Sequence, residues 1–336
     1  MKTGNQFAIR MTALAVAATL AACGGGGGGS PSSTVVVPPT PVLATLLMTA
    51  PPSGYADGSA EQKNVDALNR VRIAGGFGAF VYDAKLAQAA SAHVAYLQAD
   101  GLTSVGHTEV VGNPGFTGVD PSARCTAAGF GLCGEIAGAT TSKLDLANFD
   151  AMGGYAAAIG HWQIALDYRN TKAGLKIGQA ATGYNLAVGG DPWMYKDVMN
   201  LGQTTPTLPT EKANGIVGVF PFPDMTSMGI GLNVLGSIFG ANIMIQMAGT
   251  ANPVITSFTL RKDGATADTP AVMLQAGQPA YNGEPTQTGW ALLVPSVLLD
   301  VNSRYTVNFA GTYQGNPVSK TWSFTTGASA KTKIVL

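Results

Sequence analysis

Between residues 59 and 101 the polar and apolar positions alternate at the spacing of two helices. Ser59-Ala60-Glu61-Gln62 has the form of a capping box, in which a Ser hydroxyl and a Gln three positions on satisfy backbone donors at a helix start. Val65, Leu68 and Arg72 follow at helical spacing, and Gly75-Gly76 stops the run. Asp83 caps a second helix whose inner face is Leu86, Ala90, His93, Val94 and Leu97, ending at Gly101. Residues 102–134 are rich in Gly, Pro and Thr and read as loop. A third helix fits Asp145 to about Ile159, and strands fit Leu175–Ala180, Tyr184–Val188 and Trp193–Met199. From about Thr207 the period changes to two. Ile243, Ile245 and Met247 alternate with polar or outward positions, as do Tyr305, Val307 and Phe309, then Trp322 and Phe324. Lys262-Asp263-Gly264, Asn282-Gly283 and Gly315-Asn316 supply turns between these runs. The uncharged stretch Met228–Met247 is interrupted by glycines and by Asn233, Asn242 and Gln246, so it reads as loop and buried strand, not as a membrane span. Helices and strands followed by strands alone predict an α+β class with an all-β sandwich behind it.

The apolar stretch Met11–Leu20 follows Lys2 and Arg10, which is the form of a secretory signal and too short to cross a bilayer. Its ending, Leu20-Ala21-Ala22-Cys23, resembles a bacterial lipobox, which implies cleavage before Cys23 and acylation of its sulfur. Six glycines then open a linker that, as a coil over residues 24–58, averages roughly 30–35 Å end to end. Leu43–Met48 is an apolar island within it, expected to dock on the first domain. The expected organisation is a signal over residues 1–22, an acylated linker over 23–58, one domain over 59–205 and a β-sandwich over 206–330. Gly24 takes the place of the Asp that holds many lipoproteins at the inner membrane, so a Gram-negative source implies the outer membrane.

Without residues 1–22 the chain keeps 17 basic and 19 acidic residues, a formal charge of −2. No basic field is left for nucleic acid, and polyanions are disfavoured for the same reason. With 46% hydrophobic and 11% charged residues, much of the surface must be Gly, Ser, Thr, Asn and Ala. Once lipid takes Cys23, Cys125 and Cys133 remain as an even pair in an oxidising compartment, expected to form a disulfide.

The chain has three histidines. His93 lies on the apolar face of the second helix and reads as a packed core residue. His107 stands in a loop with no evident structural duty. His161 follows Gly160 at a helix end, either as a cap or as a site residue. Glu135 sits in Leu132-Cys133-Gly134-Glu135-Ile136, a setting that penalises a carboxylate without a partner. Two imidazoles and a carboxylate are what a divalent metal site or an acid/base pair requires. Gly129-Phe130-Gly131-Leu132-Cys133-Gly134 has the letters of a dinucleotide fingerprint, but no strand precedes it, so that reading is rejected. The nucleophile-elbow, Walker and His-Glu-x-x-His signatures are absent from the sequence.

Asn69-Arg70, then Asp83…Leu86…Ala89-Ala90…His93, Gly106-His107, Gly134-Glu135, Gly160-His161 and Ile177-Gly178 resemble, in order and spacing, the bacterial branch of the CAP superfamily (SCP-like domains). The resemblance covers about residues 59–203. It implies an α-β-α sandwich with a central cleft in which His107, Glu135 and His161 stand together and hold a divalent cation such as zinc, magnesium or calcium. Two departures stand out. Ile136 replaces the Asn that usually follows the glutamate, and Ala158 stands where animal members carry a second glutamate, three residues after Tyr155. Pro295…Leu298-Leu299…Tyr305-Thr306-Val307 with Trp322-Ser323-Phe324-Thr325-Thr326 resembles the end of a bacterial Ig-like repeat, implying a spacer or adhesion module. The resulting expectation is a lipid-anchored envelope protein whose cleft binds a cell-wall, lipid or protein ligand. Its rivals are a metal- or His/Glu-dependent hydrolase acting on peptidoglycan, peptide or nucleic acid, and a structural spacer. The missing second acid favours binding over turnover.

Overall fold

The computed structural model describes residues 46–99, 106–140, 151–156, 159–181, 193–203, 215–223, 230–231, 242–277, 287–328 and 333–334. Cys23 and the signal segment lie outside them.

The first part is built on one sheet of four strands: β1 (Val81–Tyr82), β2 (Cys133–Thr140), β3 (Asn170–Ala181) and β4 (Trp193–Gln203), in the order β1-β3-β4-β2. Successive side chains of a strand point to opposite faces, and here each face meets helices. Met199 and Leu201 of β4 join Ile136, Leu175 and Ile177 in a core with α1 (Ala60–Gly75), α4 (Ala151–Ala156) and α5 (Ile159–Leu166). Val198 and Ala137 face the other way, onto Ala90, Val94 and Leu97 of α2 (Ala84–Ala99), beside which lies α3 (Pro121–Ala127). This is the expected α-β-α layering.

The helix boundaries follow their caps. Ser59 Oγ accepts from the Gln62 N–H at 3.1 Å, but the Gln62 side chain returns to the Gly58 N–H and not to that of Ser59, which is bound to Ala56 O. Gly76 takes φ 90° after the last turn of α1. Asp83 Oδ1 accepts from the Lys85 and Leu86 N–H groups at 3.0 and 3.3 Å and starts α2. The α2 backbone then lies directly on β3. A Cβ on Gly174 would come 2.0 Å from Ala87 N, so no other residue fits there without moving the helix. Arg72, expected on the inner face of α1, is fully buried over the Phe80 ring. It donates to the carbonyls of Phe77, Gly78, Ala165, Asp167 and Asn170, joining α1 to the α5–β3 corner. Burial pushes its pKa down to about 9, which leaves it charged at neutral pH.

Four expectations need correction. The loop over 102–134 contains α3, capped by Asp120 and opened by Pro121; its seven residues are too short to show a period. Glu135 lies on a strand, β2, whose Gly- and Ala-rich sequence hid it. The helix expected to end near Ile159 does not end there: after α4, α5 runs on through His161 to Leu166, so His161 is inside a helix and not at its end. The docking expected of Leu43–Met48 is seen at Leu47, whose O accepts from the Ala79 N–H, but the rest of the segment up to residue 58, expected to be free linker, also touches the domain: the Tyr55 hydroxyl bridges both backbone groups of Leu175. The expected strand at 184–188, and residues 145–150, lie outside the described residues.

The second part is β-rich. β5 (Ile216–Phe220), β7 (Ile243–Met247), β9 (Ala271–Gln275) and β10 (Trp290–Pro295) form one antiparallel sheet ordered β5-β7-β10-β9. β8 (Val254–Lys262), β11 (Arg304–Tyr313) and β12 (Asn316–Thr325) form a second, ordered β12-β11-β8, while β6 (Ile230–Gly231) pairs with β13 (Lys333–Ile334). Gln314 and Gly315, both at positive φ, turn β11 into β12. β11 keeps the expected alternation, with Tyr305, Val307 and Phe309 buried. β7 does not: all five residues are buried, as are all of β5 and β10. The reason is cover on both faces. Gln246 and its cross-strand partner Trp290 point at the first part, where Gln246 accepts from the Tyr168 N–H at 3.0 Å and donates to Asp167 at 2.8 Å. Trp290 stacks on Phe77 at 5.8 Å, and Trp162 meets Phe220 at 5.3 Å. The described residues from Leu46 onward therefore belong to one compact unit with a continuous core. Among them no helix is long and apolar enough to cross a membrane.

Candidate functional site

Five elements bring polar side chains to one point on the α2 face of the sheet. α3 presents Arg124, β2 presents Glu135, α2 presents His93, and the loop before α3 presents His107 and Glu109. Arg124 Nη2 donates to both oxygens of Glu135 at 2.7 and 2.8 Å. The His107 Nδ1 lies 3.0 Å from Glu135 Oε1. Asn200, opposite Glu135 on β4, completes the set. With its amide oriented to suit both neighbours, it donates to Glu135 Oε2 at 3.0 Å and accepts from the Ala90 N–H at 2.9 Å. Asn200 thus provides from the neighbouring strand the amide that Ile136 cannot.

A second carboxylate lies behind the first. Glu109 accepts from the backbone N–H groups of Thr117 and Gly118 at 2.6 and 3.2 Å, and its Oε1 lies 2.9 Å from His93 Nδ1 and 3.7 Å from Arg124 Nε. The other ring nitrogen of His93 faces Gly106 O at 2.9 Å and Glu135 Oε1 at 3.7 Å. Acceptors thus flank both ring nitrogens. The side chains of His93, Glu109, Arg124 and Glu135 have no exposed surface, whereas that of His107 is 49% exposed. The result is a dry, charge-paired floor that holds one imidazole at the surface.

The chain fixes this floor covalently. Cys125 and Cys133 form a disulfide, as expected from their number, and it joins the residue after Arg124 to the residue two before Glu135. The cross-link therefore ties the helix that carries the cation to the strand that carries the acid. Glycines 129 and 131, both at positive φ, lead from α3 into β2. The order is helix then strand, the reverse of a dinucleotide site, which agrees with rejecting that reading.

Of the three residues predicted from sequence, the structure brings His107 and Glu135 together. His161 is the third residue of α5, half-buried on the opposite face of the sheet, with its ring edge-on to Tyr155 at 6.0 Å. That face has an acid which sequence reading passed over. Asp197 of β4 is 3% exposed, sits under Gly138 and neighbours the Tyr155 hydroxyl. Burial pushes its pKa up to about 6, partly offset by Tyr155. Ala158 lies outside the described residues. His93 is buried, as read from its helix face, but paired with acids and not merely packed. Arg124 and Glu109 were missed. The available signals were an Arg adjoining a paired Cys and an acid two residues after His107.

The donor set as placed does not suit a divalent cation. A carboxylate offers about four lone-pair directions. On Glu135 they are taken by Arg124 twice, by His107 and by Asn200. A metal would have to displace a guanidinium that has no route to solvent.

The first part of the chain is thus a three-layer α-β-α arrangement with a half-exposed imidazole seated on a buried acid. Residues 65–190 match the model of the cysteine-rich secretory protein family, CAP. No curated protein and no solved structure matches the chain.

Proposed function

We propose that this protein is a lipid-anchored cell-envelope protein whose CAP domain binds a polar ligand at His107, with the β-rich part acting as an Ig-like support. The observation that carries the ligand reading is the half-exposed His107 ring, whose Nδ1 is held by the saturated, buried Glu135. A fixed Nδ1–H leaves Nε2 as an outward acceptor, suited to the hydroxyl and amide donors of a cell-wall fragment. Soluble peptidoglycan fragments are the probe. His107→Ala is expected to weaken their binding about tenfold, the loss of one well-placed hydrogen bond, in calorimetric titration. Equal affinity in the variant would remove His107 from the site.

The sequence at Cys23 supports the anchor. Cys23→Ser is expected to move the protein from the membrane to the soluble fraction on ultracentrifugation, and unchanged sedimentation would contradict acylation.

A hydrolase is the second reading, favoured by the same His107–Glu135 contact, since an imidazole oriented by a carboxylate is the form of a general base. Fragment release from peptidoglycan that disappears in His107→Ala would replace binding by turnover.

A further inference from the structure

We infer that Arg124 is the resident cation of this cleft, standing on Glu135 in the position that a divalent metal would need, and that the native site is therefore closed to metals. The inference rests on the placement of the acid and not on the identity of any ligand, so it stands or falls separately from the proposed function.

Three observations carry it. Arg124 Nη2 contacts both Glu135 oxygens at 2.7 and 2.8 Å, and neither side chain has any exposed surface. The same guanidinium holds the loop that bears the histidine, donating to His107 O at 3.0 Å and to Gly118 O at 3.3 Å. It also lies 3.7 Å from the second acid, Glu109. One side chain thus supplies the charge for two buried carboxylates and ties together the segments that would otherwise be gathered by an ion.

The chemistry differs from metal binding in three respects. A guanidinium brings its own positive charge on a side chain, so the site needs no ion from its surroundings. Its planar donors fix the orientation of the acid, where an ion fixes only a distance. It also opens no coordination position for water, so the cleft presents His107 as a hydrogen-bonding group and no Lewis acid. Arg124 is a positioning residue: it acts through Glu135 on His107. The Cys125–Cys133 bond keeps it in place from the adjoining residue.

The test uses zinc chloride and the full chain carrying Cys23→Ser. The native site is expected to give no saturable heat on titration with zinc and no zinc-dependent rise in Tm. Arg124→Met is expected to lower Tm without metal, because it takes the guanidinium from two buried acids, and zinc is expected to restore part of that loss by binding the folded state. Adding His107→Ala to Arg124→Met is expected to abolish the zinc effect. Saturable zinc binding by the native protein that is lost in His107→Ala would overturn the inference. So would a folded Arg124→Met variant whose Tm does not respond to zinc. If Arg124→Met fails to fold at any zinc concentration, the native titration, with its His107→Ala control, decides alone.

Discussion

Asp197 is the residue whose energetics are most open to measurement. Its pKa rises from 3.8 to about 6 because the charged form is denied water, and the Tyr155 hydroxyl recovers only part of that cost. Between about pH 4 and 6 the folded state therefore holds a proton that the unfolded state has lost. The folded state binds more protons in that window, so this group's contribution to stability falls as pH rises through it. Below the window the carboxyl is neutral in both states. Above it the full cost is present, roughly 2–3 kcal/mol. Asp197→Asn is accordingly expected to gain roughly 2 kcal/mol over the native chain at about pH 8, and almost nothing at about pH 4. Urea unfolding at the two pH values checks this; an equal gain at both would mean that Asp197 does not titrate in the window. At this scale the sequence was informative where a residue type was scarce. The scarcity of histidine and the apolar run around Glu135 singled out His107 and Glu135 as candidates, and the family resemblance implied that they meet. Arg124, Glu109 and Asp197 were missed because each owes its role to a partner on another element, and isolated charged residues in a loop or strand carry no period.

The same dependence on partners operates between elements. α1 and α2 were legible because their caps and their three-to-four spacing are local properties of the chain. β2, in contrast, is Cys-Gly-Glu-Ile-Ala-Gly-Ala-Thr, with few of the branched residues that mark a strand. Its small residues have a use: Gly138 makes room for Asp197 on one face. α3 is seven residues long and depends on its surroundings, since so short a helix has little stability alone. The disulfide is the most direct of those supports. Closing a loop of this length contributes about 2–3 kcal/mol by restricting the unfolded chain. Cys125→Ser with Cys133→Ser is therefore expected to lower global stability by about that amount. It should also raise amide exchange in α3 and β2 beyond the change seen in β8, β11 and β12. Hydrogen exchange read by mass spectrometry separates the two effects. A uniform increase across all five elements would reduce the cross-link to a global entropic restraint, with no part in holding Arg124 against Glu135.

For the molecule as a whole, the question is how far the α-β-α part, which matches the CAP family model, and the β-rich part are separate. The change of period near Thr207 suggested two domains, each with its own core. The runs Ile216–Phe220 and Trp290–Pro295, apolar at every position, are buried on both faces, a signal that the period-two reading passed over. What the sequence could not specify was the cover on the second face. The structure provides it from Phe77 and Trp162, from Asp167 and Tyr168 through Gln246, and from close backbone contact. A Cβ on Gly218 would come 2.5 Å from Gly75 O. Breaking this contact would leave Gln246, which is fully buried, without the partners that satisfy it, at a cost of order 1–3 kcal/mol beyond the lost apolar cover. The two parts should consequently unfold together. Scanning calorimetry is expected to give one transition, with calorimetric and van't Hoff enthalpies in agreement. A chain ending near residue 205 should expose Phe77 and Trp162 and aggregate or lose fixed structure. Two resolved transitions, or a soluble truncated domain with native near-ultraviolet circular dichroism, would show that the shared core is not what makes the α-β-α part stable.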